Sequence, residues 1–401
     1  ILRGANVAAP KLAVVGASHF QVPLIQTAQR MGCEVHAFAW ECGDPGESLA
    51  DEFHPISIVE TDAIVEECRR IGVDGICTIA SDLATVAVCT VADALGLAGN
   101  SLDCMRVSTN KHLMREAFER GGDPSPLSRV VHAADNVSEI VAGMSYPLIV
   151  KPADRSGSRG ITKLEAPGCP MSVEEAVRLA LDQSFCKEAL VEEFATGDEF
   201  SVEGMSWQGT HHILAITRKY TTGAPHFIET AHVEPAGLSP ELAQRVRDVT
   251  THALDTLGVS VGASHTELKI APDGSIRIIE IGARMGGDCI GSHLVELSCG
   301  IDFVAAVVDA ALGREPNLTP AHEPASAISR FIFNADDAAL YERAQRECPE
   351  LVRYALVDDV DASGEASAVT DSSTRLGHFV MASPRLEDLM SYLPDGGKAL
   401  R

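Results

Sequence analysis

The sequence predicts an α/β unit followed by α+β units. Three observations carry this. Residues 11–100 alternate short apolar strands with amphipathic helices, the pattern of a parallel sheet with crossover helices. Gly121-Gly-Asp-Pro-Ser-Pro126 then reads as a linker-like break. Beyond it come strand–loop–helix–strand patterns and a hairpin signature at residues 264–284, where two apolar strands flank Pro272-Asp-Gly-Ser275.

Taken in order, Lys11–Gly16 is a short apolar strand ending in glycine, and a helix pattern runs from Phe20 to Met31. A strand follows at 34–40, then a helix at 62–71, a strand at 75–80 and a helix at 83–95. The first loop, Gly-Ala-Ser-His-Phe-Gln, is not the dinucleotide fingerprint G-x-G-x-x-G; it is a plain turn or, with the helix start behind it, an anion site. Residues 108–122 read as one helix capped by Ser108 or Thr109 and ended by Gly121. A strand at 147–151, a polar glycine loop at 153–160, a helix around 173–181 and a strand at 189–194 form the next unit. Strands near 199–205 and 211–219 follow, then a helix whose Leu242, Val246, Val249, Ala253 and Leu257 make one stripe. The tail from 325 has strand and helix signals without a chemical motif.

Composition narrows the class. A chain of 401 residues suggests two to four domains. The net charge of −25 works against nucleic acid and anionic membranes as partners, and there is no 18-residue apolar run. Eleven scattered cysteines without a C-x-x-C pair suit neither a disulfide framework nor a zinc site. With no secretory pattern at the start, the expectation is a cytoplasmic protein with reduced thiols.

Ala153-Asp-Arg-Ser-Gly-Ser-Arg-Gly160 directly follows the strand ending in Lys151. Small residues permit tight turns that gather backbone N–H groups, and Arg155 and Arg159 add positive charge. Such a loop suits a polyphosphate, although it lacks the Walker A ending and a surface hairpin is the bland reading. Lys151 closes an apolar strand and needs an anion or an exit to solvent. Lys111 sits in a first helical turn, where a cation opposes the helix dipole and a bound phosphate would offset the cost.

The hairpin gives the sharpest inference. Centring its turn between Asp273 and Gly274 puts Glu267 directly opposite Glu280 on one face, with Leu268, Ile270, Ile279 and Ile281 on the core face. Opposed like charges destabilise a hairpin unless something binds between them, and Mg²⁺ takes carboxylate oxygens together with substrate phosphates. Two solvated acids in a slipped register is the alternative. Arg284, four residues on, is then placed to stabilise charge on a transferring phosphoryl group or to serve as a surface ion-pair partner. Ala189–Phe194 and the turn behind it can offer backbone groups to an adenine edge, and Glu199 can take ribose hydroxyls.

Together these segments resemble the ATP-grasp superfamily, and more closely its carboxylate–amine ligases. The resemblance rests on Asn110-Lys111, Tyr146–Pro152, Ser156-Gly-Ser-Arg-Gly160, Val191–Phe194, Gly197-Asp-Glu-Phe-Ser-Val-Glu203, His265-Thr-Glu267 and Glu280-Ile-Gly-Ala-Arg284. It implies an N-terminal Rossmann-like parallel-sheet domain (1–104) and an ATP-grasp fold of two α+β subdomains (105–195 and 196–318). A C-terminal extension (319–401) completes the chain. It implies ATP held by Lys111 and Lys151 on phosphates and by a lid containing Ser156, Gly157, Ser158 and Gly160. The hinge Glu192, Glu193, Phe194 and Ala195 would face adenine, and Glu199 the ribose. Mg²⁺, with Mn²⁺ as a substitute, would sit on Glu267 and Glu280. Arg284 and Lys151 would be catalytic, and His232, His265 and Arg284 are candidate substrate contacts. Many members carry Asn two residues after the second metal glutamate; here that position is Gly282, as in some amino-acid ligases.

The expected activity is therefore an ATP- and Mg²⁺-dependent ligase that joins a small-molecule carboxylate, of amino-acid type, to an amine through an acyl phosphate, releasing ADP and phosphate. A homodimer is compatible with this; nucleic-acid and membrane partners are not expected. The rivals are a relative acting on bicarbonate or a nucleotide precursor, and a non-catalytic ATP-binding subunit.

Overall fold

A computed structural model describes residues 8–155, 160–224, 227–357 and 375–400. Within the first stretch β1 (Lys11–Val15), β2 (Glu34–Phe38), β3 (Glu52–His54) and β4 (Gly75–Cys77) form a parallel sheet in the order β3-β2-β1-β4. The crossovers carry α1 (Val22–Arg30), α2 (Pro45–Leu49) and α3 (Thr61–Ile71), and α4 (Asp82–Leu95) leaves β4. Both faces of the sheet are apolar because both are covered: Leu12 and Val14 pack in a cluster with Ile25, and Ala13 and Val15 in another with Ile64 and Val91. The β3 strand was not foreseen; it is three residues long and half polar. At the first loop, Ser18 gives both its N–H and its hydroxyl to Gln21 Oε1, and the Gln21 amide donates to the Ile79 carbonyl. Gln21 thus fills the space under Gly16, and the loop is a plain turn.

The helix expected over 108–122 is two, α5 (Leu102–Thr109) and α6 (Lys111–Gly121). Asn110, extended between them, accepts from the N–H groups of His112 and Leu113. Its side chain is the N-cap of α6, so Ser108 and Thr109 belong to the end of α5. Then come β5 (Ser128–Val131), α7 (Val137–Ile140), β6 (Leu148–Pro152), β7 (Thr162–Leu164), α8 (Val173–Gln183) and β8 (Ala189–Glu193). These four strands make an antiparallel sheet, β5-β8-β6-β7, with α8 on its apolar face.

The large sheet is built from β9 (Asp198–Trp207), β10 (Thr210–Thr221), β11 (Glu229–Glu234), β12 (Gly262–Ile270) and β13 (Ile276–Gly282), with α9 (Pro240–Leu257) between β11 and β12. After α10 (Val295–Cys299) and α11 (Phe303–Ala311), the chain adds β14 (Ser326–Ile332), α12 (Ala335–Glu347), β15 (Val352–Val357) and β16 (Gly377–Ser383). The order is β13-β12-β9-β10-β11-β14-β16-β15, so the tail extends the same sheet instead of forming one of its own. The stripe read on α9 is its inner face: Val246, Ala253 and Leu257 are buried. Gly197 joins the two antiparallel sheets at φ +114°, where an added Cβ would lie 2.2 Å from the Ile270 carbonyl oxygen; only glycine lets the link pass so close to the end of β12.

Candidate active site

A cleft of about 1100 Å³, open to solvent, lies between the four-stranded and eight-stranded sheets. Its walls bring together Lys111, Lys151, Arg155, Glu192, Glu193, Phe194, Ala195, Glu199, His265, Glu267, Glu280 and Arg284. Gly160, at φ +70°, is not among the lining residues; an added Cβ there would meet Pro152 and Gln183. Ser156, Gly157, Ser158 and Arg159 lie outside the described residues. His232 does not line the cleft. It is fully buried on β11, edge-on to Phe331, with Nε2 3.9 Å from Asp288 and no hydrogen-bond partner among the described residues. Burial lowers its pKa.

The β12–β13 hairpin places both acids. Glu267 faces Glu280 and His265 faces Gly282, as the sequence predicts. The route differs. Ile270 pairs with Ile276 and Leu268 with Ile278, so the turn is centred on Asp273 and the pairing there is shifted by one residue, and a bulge between Leu268 and Glu267 restores the register. The bulge has a second effect. Ile278, not Ile279, enters the core, while Ile279 turns beside Glu280 onto the cleft wall.

Each acid is held by a lysine. Lys111 Nζ donates to Glu280 Oε1 at 2.6 Å and to the Arg155 carbonyl at 2.8 Å. Lys219 Nζ donates to Glu267 Oε1 at 2.7 Å and lies 3.4 Å from both Glu199 and Glu229. Burial opposes the charge on both lysines, yet these carboxylates raise the lysine pKa values. Burial likewise pushes Glu267 up, but Lys219 and His265 hold it well below the usual range. Glu199, with weaker cationic neighbours, is raised by burial. Both metal candidates spend Oε1 on their lysine, and no hydrogen-bond partner among the described residues takes either Oε2. Two carboxylates on one face with an oxygen each to give, and glycine at 282, fit a cation that keeps several waters and takes the rest of its ligands from phosphates, as Mg²⁺ does.

Lys151 and Glu192 form a different pair. Lys151 Nζ is 2.6 Å from Glu192 Oε2, and Arg115 Nε donates to Oε1 at 2.7 Å; all three are buried. Burial would raise the Glu192 pKa, but Arg115 and Lys151 bring it to about 2. Burial lowers the pKa of Lys151. The Glu192 side chain is thus a fixed anion behind Lys151. The hinge that follows is partly used: the N–H groups of Glu193 and Phe194 bond the carbonyls of Leu127 and Pro147. Ala195 N–H has no partner among the described residues. The Phe194 ring lies 4.2 Å under Lys163 and 4.7 Å under Lys269.

Arg284 is tied to the first sheet. Its Nε is 2.7 Å from Asp82 Oδ1 and its NH2 donates to Oδ2 at 2.8 Å, a two-point pair that raises the guanidinium pKa against burial. An added Cβ at Gly282 would lie 2.9 Å from Asp82 Oδ1 and 3.1 Å from Arg284 Cζ. Glycine at 282 therefore makes room for this pair. His265 hydrogen-bonds the buried Glu203 through Nδ1, and against burial this lifts its pKa to about 9. It is an imidazolium at neutral pH.

Four positions in the ion-pair network of the site were given no role by the sequence reading. Arg115 lies one turn beyond Lys111 on the same helix face, and that i,i+4 spacing was the available signal. Asp82 opens α4 just past the carboxyl end of a parallel strand, where such sheets bind ligands. Lys219 is one residue of a long strand with no local mark; Glu203 closes a segment that carries the resemblance, but nothing local marks its pairing with His265.

Residues 144–292 match the family described as the ATP-grasp domain. The chain is 24% identical over 378 residues to an alanine–anticapsin ligase of Bacillus subtilis, covering 83% of this chain and 77% of that protein. Among solved structures, an L-amino acid ligase from Bacillus licheniformis superposes with a TM-score of 0.80 at 23% identity, over 98% of each chain. The N5-carboxyaminoimidazole synthetase of Staphylococcus aureus, complexed with ADP, superposes with a TM-score of 0.76 at 15% identity, over 98% of this chain and 97% of that one.

Proposed function

We propose, from the match of residues 144–292 to the ATP-grasp domain, that this chain is an ATP-dependent ligase joining an amino-acid-like carboxylate to an amine. The observation that carries the reading is the cleft itself: two opposed carboxylates with free oxygens, two buried lysines and an arginine converge on one space. The first relatives named above, an alanine–anticapsin ligase and an L-amino acid ligase, support amino-acid substrates.

In this reading Ala195 N–H receives the adenine edge, Ile149 and Ile279 flank the ring, and Glu199 takes the ribose. Lys111 and Lys151 lie along the phosphates. Mg²⁺, when bound by Glu267 and Glu280, neutralises phosphate charge and polarises the terminal phosphoryl group. A substrate carboxylate oxygen attacks the γ-phosphorus, the bond to the β-phosphate oxygen breaks, and ADP leaves an acyl phosphate. Arg284, its fork oriented by Asp82, stabilises charge on the transferring group. The imidazolium of His265 holds the substrate carboxylate near Gly282. The amine then attacks the acyl carbon, phosphate leaves, and the amine proton passes to solvent. No covalent intermediate on the protein is needed; the cleft aligns reactants and neutralises phosphate charge. His232, away from the cleft, has no part in it.

Phosphate release across a panel of carboxylates and amines tests the reading. Hydroxylamine should trap the activated acid as a hydroxamate only when ATP is present. AMP and pyrophosphate as products would sink it. Turnover that needs bicarbonate and a phosphoribosyl amine would select the carboxylase-like alternative, for which the likeness to the carboxyaminoimidazole synthetase speaks. ATP binding without substrate-stimulated ADP release would select a non-catalytic subunit.

A further inference from the structure

The first sheet carries a second cluster of metal-binding side chains, and none of them lines the cleft. His36 on β2 stands in register beside Glu52 on the edge strand β3, and His54 follows two residues on, on the same face. His36 Nδ1 is 3.1 Å from His54 Nε2 and 3.4 Å from Glu52 Oε2. Both imidazoles are buried, and Glu52 reaches in from solvent.

The opposite ring nitrogens are also occupied. His36 Nε2 is 3.1 Å from Glu34, and His54 Nδ1 is 3.1 Å from Glu67 on α3, which Arg70 holds in place. A carboxylate beside a ring nitrogen favours N–H there. The inner nitrogens, His36 Nδ1 and His54 Nε2, are then left facing each other with a Glu52 carboxylate oxygen beside them, the disposition of three ligand atoms around one point.

We propose that His36, Glu52 and His54 form a binding site for a divalent transition metal of the zinc type, with water as fourth ligand. Bonds of about 2.0–2.1 Å at tetrahedral angles put ligand atoms about 3.3 Å apart, and the observed 3.1 and 3.4 Å bracket that spacing. Two imidazoles and one carboxylate suit Zn²⁺ better than Mg²⁺, which wants oxygen donors. Glu34 and Glu67 supply the carboxylate–histidine–metal pairing that orients such ligands. Bound metal would tie the edge strand β3 to β2, and through Glu67 to α3. This site stands independently of the ligase reading.

The test uses the whole protein, stripped with a chelator and titrated with Zn²⁺ and with Co²⁺ as a spectroscopic probe. One Zn²⁺ per chain, the intense visible bands of tetrahedral Co²⁺ and a rise in Tm on adding Zn²⁺ are expected. Glu52→Gln, at the exposed ligand, should weaken Zn²⁺ binding at least ~10-fold without disturbing the fold. Glu67→Gln should weaken it ~10–100-fold. His252→Gln, at an exposed histidine elsewhere, should change nothing. Wild-type Zn²⁺ affinity in both glutamate variants, or less than one Zn²⁺ per chain, would overturn the proposal and leave a proton shared between the two rings.

Discussion

Glu280 shows how much depends on one side chain's partners. From sequence alone, removing one of two opposed acids should relieve repulsion and steady the hairpin. In the fold Glu280 is the partner of the buried Lys111. Glu280→Gln should therefore lose about 2 kcal/mol of stability, because it weakens a charge-assisted hydrogen bond to a buried cation. Turnover should fall by at least ~10²-fold, the scale of losing one electrostatic stabiliser beside phosphates. Thermal unfolding and steady-state rates separate the two effects; near-normal turnover at limiting Mg²⁺ would place the metal elsewhere. Arg284→Lys is the companion: it keeps the charge but cannot match both Asp82 oxygens, so kcat should fall with little change in Tm.

At the scale of the element, the β12–β13 hairpin teaches what the sequence could and could not say. Its strands, its turn and the pairing of Glu267 with Glu280 were legible from alternation and from Pro272-Asp-Gly-Ser275. The bulge was not, since a bulge is a compromise between the turn and the neighbouring β9 that no local pattern records. Two shifts of one residue cancelled at the acids and failed to cancel at Ile279. The same limit hid Lys219 and Glu203, whose roles arise only when strands distant in sequence align. Arg115 and Asp82 had local signals, and lacked only a reason to be chosen over other charged residues. Gly282 carries a prediction of its own. Gly282→Asn adds a side-chain oxygen beside the two glutamates, yet its Cβ would crowd the Asp82–Arg284 pair. We expect at least ~10-fold loss of kcat/KM, not tighter Mg²⁺ binding, with Asp82→Ala in the same chain giving much less than the product of the two losses.

For the whole molecule, two buried glutamates pull stability in opposite directions with pH. Glu192 is depressed to about 2, so its contribution is present above about 4.5 and is lost as pH falls toward 2. Glu234, fully buried, accepts from Thr217 at 2.6 Å and Ser298 at 2.7 Å, and burial raises it to about 7. The folded chain keeps a proton there that the unfolded chain releases, so stability falls as pH rises from about 4.5 through 7. Each effect is on the order of 3 kcal/mol. Denaturant titrations from pH 5 to 8 should show a decline that Glu234→Gln flattens; an unchanged slope would mean the carboxyl is ionised throughout. The overall architecture was legible because period and length separate strands from crossover helices. The merging of the tail into the large sheet was not, because β11–β14 pairing joins residues about a hundred positions apart.

The lysine–carboxylate pairs in the cleft have a kinetic consequence. Among its described lining residues, carboxylates outnumber lysines and arginines seven to five, on a chain of net charge −25. A polyanion approaching this mouth meets no attractive funnel. The first encounter with a nucleotide should be slowed by long-range repulsion, and added salt should speed it by screening. Stopped-flow association of a fluorescent ATP analogue should therefore accelerate between low and physiological ionic strength, the reverse of the usual behaviour at a basic phosphate site. The free nucleotide should suffer more than its cation complex, so that this enzyme selects its nucleotide with counterions already attached, before any contact is made.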